Sequence, residues 1–209
     1  ILDAYEVGAI TTLLDGRIRL NASVFDYGFT DLQVRSTDPQ QPTSSLLRNA
    51  GEADMQGLEV EISALPFESL QLDVGLAWLD AEFVDFAVVG GNHEGNKIPQ
   101  SPEFTANIGI KYLRELAVWG SLVAQANYYY SDEQFFSELN DVGRAGSYDQ
   151  LNLRASIESA DNTWKISLFG KNITDELVRD FTFVSPFLFR EGYLVTYQPP
   201  RTYGVEVGY

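Results

Sequence analysis

The 209-residue chain has a formal net charge of −16, no cysteine, one histidine and one methionine, which excludes disulfide frameworks, thiolate or histidine-rich metal sites and methionine-rich grooves. Its surplus of negative charge argues against non-specific binding to nucleic acid. No run of about 18 apolar residues occurs, so the sequence predicts no transmembrane helix, and an aromatic content of 13% favours β-strands.

Alternation between apolar and polar residues, typical of strands with two unlike faces, runs through the first half of the chain. The dipeptide Asp15-Gly16 is a strong hairpin signal and separates the first predicted strand from the second. We expect the second strand to continue through Leu32 and Val34, and the polar segment 36–45 to form a loop. The predicted strands of this half cover residues 5–9, 17–34, 58–63 and 72–78.

The second half repeats the same pattern with longer interruptions. Loops are predicted at 86–102 and 131–147, and a third, aromatic-rich stretch extends to Pro200. The predicted strands of this half cover residues 104–112, 118–130, 151–157, 164–175 and 201–209. The sequence therefore predicts an all-β, antiparallel protein with about nine strands.

The connections between these strands alternate in length. Short ones are predicted at Asp15, Pro66, Arg114 and Asp161, and long ones near residues 40, 95, 140 and 185. Short turns on one side and long loops on the other are typical of bacterial outer-membrane β-barrels, whose short turns face the periplasm. On this interpretation the chain ends at the periplasmic rim, with Tyr209.

Eight charged residues within the predicted strands share one face, and no charge falls among the apolar positions that define the other face. This face holds Arg19, Glu59, Glu61, Asp73, Lys111, Arg154, Lys165 and Glu206. A charge facing lipid at mid-bilayer costs roughly 2–4 kcal/mol, so the other, apolar face is the one that can meet lipid. An ordinary antiparallel sheet with one solvated face also alternates, and it remains the alternative at this point.

Several short motifs, in their order along the chain, resemble the C-terminal portion of TonB-dependent outer-membrane receptors. They are AYEVG at 4–8, DGRIRLN at 15–21, NAGEA at 49–53, GLEVE at 57–61, PQSP at 99–102, KNITDE at 171–176 and PRTYGV at 200–205. The resemblance implies a transmembrane β-barrel of 22 strands that is plugged by an N-terminal domain. Residues 1–209 would then be one partial barrel domain, the C-terminal strands without the plug. Because bacterial single-chain barrels have even strand numbers, we expect a fragment or a chain that pairs with another.

The resemblance also implies a function and partners. It implies active transport of a ferric siderophore or similar scarce nutrient across the bacterial outer membrane, with no cofactor and no enzymatic step. The implied partners are outer-membrane lipid, lipopolysaccharide, the TonB system through the missing N-terminal part, and the barrel-assembly machinery. The signal for that machinery would be the outward residues of the last strand, Tyr203, Val205, Val207 and Tyr209. The alternative is that these side chains simply face lipid.

Candidate ligand contacts lie in the predicted loops. Arg144, Arg179 and Arg190 could bind an anionic ferric chelate, because guanidinium groups bind carboxylates bidentately, or they could pair with loop acids or lipopolysaccharide phosphate. Phe181 and Phe183 belong to an aromatic cluster that could contact a planar ligand or form an interfacial girdle. His93 alone makes an unconvincing metal ligand, and no catalytic constellation is present.

Two other functions stay open from the sequence alone. The chain could be a small structural or adhesive outer-membrane barrel, or a soluble β-sandwich that acts as a binding module or hydrolase. Detergent dependence and heat-modifiable gel migration would separate the membrane hypotheses from the soluble one. Iron chelate, cobalamin and oligosaccharide all remain possible substrates of the favoured hypothesis, although the negative net charge argues weakly against a highly anionic ligand.

Overall fold

The computed structural model describes residues 1–38, 41–49, 51–88, 91–138, 140, 143–184 and 193–209. Nine strands form one antiparallel sheet, in which each strand pairs with the next strand of the sheet along the chain. They are β1 (Leu2–Leu13), β2 (Ile18–Thr30), β5 (Glu52–Phe67), β6 (Leu70–Asp85), β9 (Phe104–Glu115), β10 (Ser121–Ser131), β11 (Tyr148–Glu158), β12 (Lys165–Lys171) and β15 (Thr202–Gly208). The prediction of about nine antiparallel strands is therefore confirmed.

Short strands build three additional two-stranded hairpins beyond one end of this sheet. They pair β3 (Gln33–Asp38) with β4 (Gln41–Asn49), β7 (Ala87–Val88) with β8 (Gly91–Asn92), and β13 (Arg179–Val184) with β14 (Tyr193–Tyr197). A 3-10 turn at Ala117–Trp119 joins β9 to β10. No helix in the described part of the chain is long and apolar enough to cross a membrane.

The alternation of short and long connections is present as predicted. The turns at 14–17, 68–69, 116–120 and 159–164 lie at one end of the sheet, and the long connections lie at the other. Pro66 does not form a turn but lies inside β5, where an irregularity in the pairing between Ala64 and Phe67 accommodates it. Proline has no N–H to give to the ladder, so a bulge is a position that tolerates it.

Two strand predictions are wrong at the end of the sheet where the long connections lie. The second strand ends at Thr30 rather than Val34, because Asp31 has a φ of 57° and breaks the ladder. Residues after it form the β3–β4 hairpin, so much of the predicted loop 36–45 is strand. The predicted strand through 175 ends at Lys171, where Asn172, with a φ of 50°, turns the chain. Asparagine and aspartate tolerate this left-handed conformation better than other non-glycine residues.

The register of the ladders keeps one apolar face continuous across the sheet. A typical row joins Val7, Val24, Leu58, Trp78 and Phe104, each directly opposite the next. Its large side chains stay exposed, Val7 by 73% and Val24 by 51%. An apolar surface of this extent needs a covering partner, and hydrocarbon fits a face that alternates with a polar one.

The polar face holds every charged residue that the sequence assigned to it. Successive pairs place Arg19 opposite Ser63, Ser63 opposite Asp73, and Glu59 opposite Ser23 on this face. Asn21 Nδ2 donates to Glu61 Oε2 at 3.1 Å, and Ser63 Oγ donates to Asp73 Oδ1 at 2.8 Å. Hydrogen bonds between neighbouring strands thus satisfy acids that could not face hydrocarbon.

Candidate functional site

The long connections pack against the end of the sheet and against one another. Segment 95–98 runs beside β6: Phe83 N donates to Asn96 O at 3.0 Å, and Ile98 N donates to Ala81 O at 3.1 Å. Beneath this segment lies the main hydrophobic cluster, Ala53, Phe83 and Phe86, with Phe29, Leu32 and Ile98 packed around it. Local packing therefore fixes this connection on the sheet.

Lys97 and Asn140 join the connection 86–103 to the connection 132–147. Asn140 Oδ1 accepts from Lys97 N at 2.6 Å, and Asn140 Nδ2 donates to Lys97 O at 2.9 Å. Lys97 Nζ lies 2.6 Å from Asp80 Oδ1 and 3.0 Å from Glu103 Oε1. Burial works to lower the pKa of Lys97, but hydrogen bonds to Asp80 and Glu103 outweigh it and leave that pKa above the ordinary lysine value.

Two of the predicted arginines meet at the next junction, between the connection 132–147 and β13. Arg144 forms an ion pair with Glu133, and Arg179 Nη1 donates to the Arg144 carbonyl oxygen at 2.8 Å. The Arg179 guanidinium carbon lies 5.9 Å from the centre of the Tyr193 ring, within cation–π range. A cavity of about 190 Å³ opens beside both arginines, lined also by Tyr148 and Glu176.

Aromatic rings border the same junction. Phe181 is 44% exposed, and its ring meets Phe136 edge to face with 6.0 Å between centres. Arg144, Arg179, Phe181, Phe136 and Tyr193, with Glu133, form what we call the arginine–aromatic surface. The side chain of Phe183, and all of Arg190, lie outside the described residues.

Close backbone packing holds the two sides of this surface together. Gly143 has a φ of 82°, and a Cβ atom at this position would lie 2.9 Å from Thr182 Cγ2. Thr182 is only 2% exposed. Glycine is required here both for its conformation and for the space, so the backbone segments that carry Arg144 and Phe181 pack closely together.

Sequence reasoning missed part of this surface. Phe136 was not among the predicted contacts, and neither the Lys97–Asn140 junction nor Glu133 as the partner of Arg144 was foreseen. The adjacent rings Phe135 and Phe136 in an otherwise polar segment were the available signal. His93, by contrast, packs its ring 5.4 Å from that of Phe86. Among the described residues, no group of three or more His, Asp or Glu could hold a metal ion.

The last strand lies where the sequence placed it. Tyr203, Val205, Val207 and Tyr209 are on the apolar face, and the first three are 71%, 63% and 72% exposed. Val205 is opposite Leu168 and Val207 is opposite Ile166 of β12. Within the part of the chain that the structure describes, the far edge of β15 has no partner strand, nor has that of β1. Unpaired edges are untenable in hydrocarbon.

Comparison with known proteins agrees with this architecture. Residues 2–173 match the family model described as TonB dependent receptor-like, beta-barrel. The ferric yersiniabactin uptake receptor of Yersinia pestis superposes with a TM-score of 0.83 at 21% identity, over 99% of this chain and 29% of that one. A siderophore receptor of Acinetobacter baumannii gives 0.75 at 20% identity, over 99% of this chain and 28% of that one.

The ferric preacinetobactin receptor of Acinetobacter baumannii gives a TM-score of 0.71 at 20% identity, over 99% of this chain and 29% of that one. At these identities the superpositions establish the fold. The chain spans less than a third of the length of each of these receptors.

Proposed function

This chain belongs to the TonB-dependent receptor family, as part of its β-barrel, and we propose that it supplies wall and ligand-contact loops to a receptor that imports a ferric siderophore or similar scarce nutrient. Members of this family lie in the outer membrane of Gram-negative bacteria and are receptors rather than enzymes. Membership argues against the soluble sandwich, and the match to receptor barrels argues against a small adhesive barrel.

One observation supports the ligand-contact proposal above the others. Arg144 and Arg179 are 35 residues apart in the sequence, yet Arg179 donates directly to the backbone of Arg144. Phe181 and Tyr193 add ring faces to the same surface. Guanidinium groups beside aromatic rings suit a ligand that combines negative oxygen atoms with planar apolar parts, as many iron chelators do.

The exposed ion pair of this surface suits reversible binding of a ligand better than a purely structural role. Arg144 is 56% exposed and Glu133 is 45% exposed, so their ion pair is worth only about 0–1 kcal/mol. An incoming carboxylate can therefore replace Glu133 at little cost. Arg179 uses one of its five guanidinium N–H groups to bind the Arg144 carbonyl, so it can keep this bond while another N–H group donates to a ligand.

Replacing either arginine tests the proposal. We expect Arg144→Gln or Arg179→Gln to raise the Kd for an anionic chelate about tenfold, because a hydrogen bond to a charged group contributes about 1.5–3 kcal/mol. The probes are ferric citrate and a ferric tris-catecholate, with cobalamin for comparison, and binding is measured on cells that carry the full receptor.

Arg201→Gln is the matched control, because Arg201 lies at the same end of the sheet but is paired, at 3.0 Å, with Asp175, which is not a residue of the arginine–aromatic surface. We expect its affinity to stay within twofold of the wild type. If both test variants bind every chelate as tightly as the wild type does, the arginine–aromatic surface is not the contact and this part of the proposal fails.

The remaining partners follow from the same proposal. Phe183 and Arg190 would add to the ligand surface. The apolar face would contact lipid, and exposed cations near the long connections could meet lipopolysaccharide phosphate. Residues 1–209 would form one partial barrel domain. Energy would come from the TonB system through a part of the receptor outside these residues. Tyr203, Val205, Val207 and Tyr209 would be read by the barrel-assembly machinery.

A further inference from the structure

Cations collect on the polar face of the sheet between β9 and β12, on residues that are not part of the arginine–aromatic surface. Lys111, Arg154 and Lys171 line an open groove of about 710 Å³, together with the amides of Gln125, Asn127 and Asn152. In a chain with a net charge of −16, such a concentration of positive charge is unexpected. We call this region the basic groove.

The register fixes the spacing of these groups. Lys111 is directly opposite Gln125, and Gln125 is directly opposite Arg154, so three adjacent strands present them in one row. Neighbouring strands lie about 4.8 Å apart, which places Lys111 and Arg154 about 10 Å from each other at the backbone. Lys171 projects from the neighbouring strand β12. This spacing suits a ligand with more than one negative group.

Two acids, Asp73 and Glu206, offset part of the positive charge of the groove and leave it with one net positive charge from Lys111, Arg154 and Lys171. Each oxygen of Asp73 already accepts one hydrogen bond at 2.8 Å, Oδ1 from Ser63 Oγ of β5 and Oδ2 from Gln71 Nε2 of its own strand. Glu206 is paired with Arg154. Among the other acids of the polar face, Glu59 and Glu61 lie on β5, separated from β9 by β6. Glu158 is paired with Lys165, and Glu115 is the last residue of β9.

The four lysines of the chain divide into two kinds. Lys97 is paired with Asp80 and Glu103, and Lys165 lies 3.7 Å from Glu158. Within the described residues, neither Lys111 nor Lys171 forms an ion pair, although the charge of Lys171 acts on Glu206. The centre of the Phe169 ring lies 6.0 Å from Lys171 Nζ. The two unpaired lysines are the ones in the basic groove.

We propose that the basic groove is an anion-binding site on the inner wall of the barrel, which takes a group bearing several carboxylates or phosphates. Lys111 and Lys171 would form charge-assisted bonds to it, and the amides of Gln125, Asn127 and Asn152 would donate to its remaining oxygens. The proposal does not depend on the arginine–aromatic surface, which lies on other residues.

Such an anion has two possible sources. It can be a solute that enters the barrel, or an acidic segment of the same receptor that occupies the interior. Both would present the same oxygen ligands to the groove, and they differ in whether the anion can be added and removed freely.

Lysine acetylation measured residue by residue distinguishes these cases. The full receptor in detergent micelles is treated with N-hydroxysuccinimidyl acetate, with and without citrate as the probe, against potassium chloride at matched ionic strength. A bound carboxylate favours the protonated amine, and a change of one unit in the lysine pKa alters the reactive fraction about tenfold. We therefore expect citrate to slow acetylation of Lys111 and Lys171 about three- to tenfold, and to leave Lys97 and Lys165 unchanged.

An internal acidic segment gives a different but equally supportive result. Lys111 and Lys171 would then react slowly without citrate and become reactive at about 1 M salt, where the Debye length falls to about 3 Å. Gln125→Glu should remove the citrate effect, because it adds a carboxylate to the row between Lys111 and Arg154 that competes with citrate for these cations.

The proposal is overturned if Lys111 and Lys171 react at rates that neither citrate nor salt alters, whether those rates are fast or slow. Fast, unaltered rates would mean that no anion binds, and slow, unaltered rates would mean simple steric burial. Lys97 and Lys165 serve as internal standards, since their visible ion pairs should respond to salt but not to citrate.

Discussion

Single glycines in the strands determine how closely large rings can lie over the backbone. A Cβ atom at Gly57 would be 2.5 Å from Phe25 Cζ and 2.6 Å from the Trp78 carbonyl oxygen. Gly204 is similar, with Phe169 Cζ at 2.7 Å. In both places an aromatic ring on one strand covers the glycine directly opposite it on the next strand. The ring packs on backbone that has no side chain of its own and so stabilises the strand there.

This arrangement gives a matched prediction. We expect Gly57→Ala to lower the free energy of unfolding by about 1–3 kcal/mol, because the new methyl group collides with backbone as well as with the Phe25 ring. Gly75→Ala, on the same face of the neighbouring strand, meets nothing within 4 Å and should change stability by less than about 0.5 kcal/mol. Urea unfolding of the full receptor in micelles measures both, and equal effects would contradict this account of Gly57.

At the residue scale, the sequence indicates which side chains could bind a ligand, but not which of them lie close together. Arginine and phenylalanine were sound candidates for an anion and ring surface because of their side chains alone. Nothing local in the sequence reveals that Arg179 reaches the Arg144 carbonyl, or that Asn140 binds Lys97 across 43 residues. Such pairings depend on how the long connections pack together, which periodicity does not encode.

At the scale of elements, period-two alternation and turn length predicted the order of the nine strands. The predicted strand ends were wrong where one residue in a left-handed conformation ends the hydrogen-bonded ladder, although the alternation of polar and apolar side chains continues beyond it. Asn172 shows why: it is 3% exposed, its Oδ1 accepts from Glu176 N at 3.0 Å, and its Nδ2 donates to Glu176 O at 2.9 Å. These hydrogen bonds replace those of the ladder and close a turn.

The last strand gives a prediction at the scale of elements. We expect Tyr209→Ser to reduce the amount of assembled, heat-modifiable receptor in cells several-fold, while refolding of the purified protein in detergent is unchanged. The difference arises because refolding in detergent does not involve the assembly machinery, so only a recognition signal is lost. Gly208→Ser is the control: it lies on the polar face, and its new Cβ would have no neighbour closer than 3.9 Å. Equal loss in cells and in detergent would mean that Tyr209 acts only by contacting lipid.

At the scale of the whole molecule, the two faces of the sheet differ in polarity. On the outward face, the apolar band ends at a polar row formed by Asp26, Gln56 and Asp80, which lies beside the row of Val24, Leu58 and Trp78. Within the polar row, Gln56 Nε2 donates to Asp80 Oδ2 at 3.5 Å. A polar row just beyond Trp78 and Phe104 is what an interface between hydrocarbon and headgroups requires. The sheet therefore has an apolar band and a polar wall, as the proposal of a lipid-facing outer surface and a polar barrel interior requires.

The central claim is that the even-numbered residues of β2 meet lipid and the odd-numbered ones face the interior. Because the chain has no cysteine, single cysteines at positions 19–24 can be spin-labelled in the receptor in lipid vesicles. We predict that collision with oxygen, which concentrates in hydrocarbon, peaks at 20, 22 and 24, and that a water-soluble nickel chelate never reaches those positions. Oxygen accessibility without a period of two, or free access of the nickel chelate to the even positions, would contradict the account.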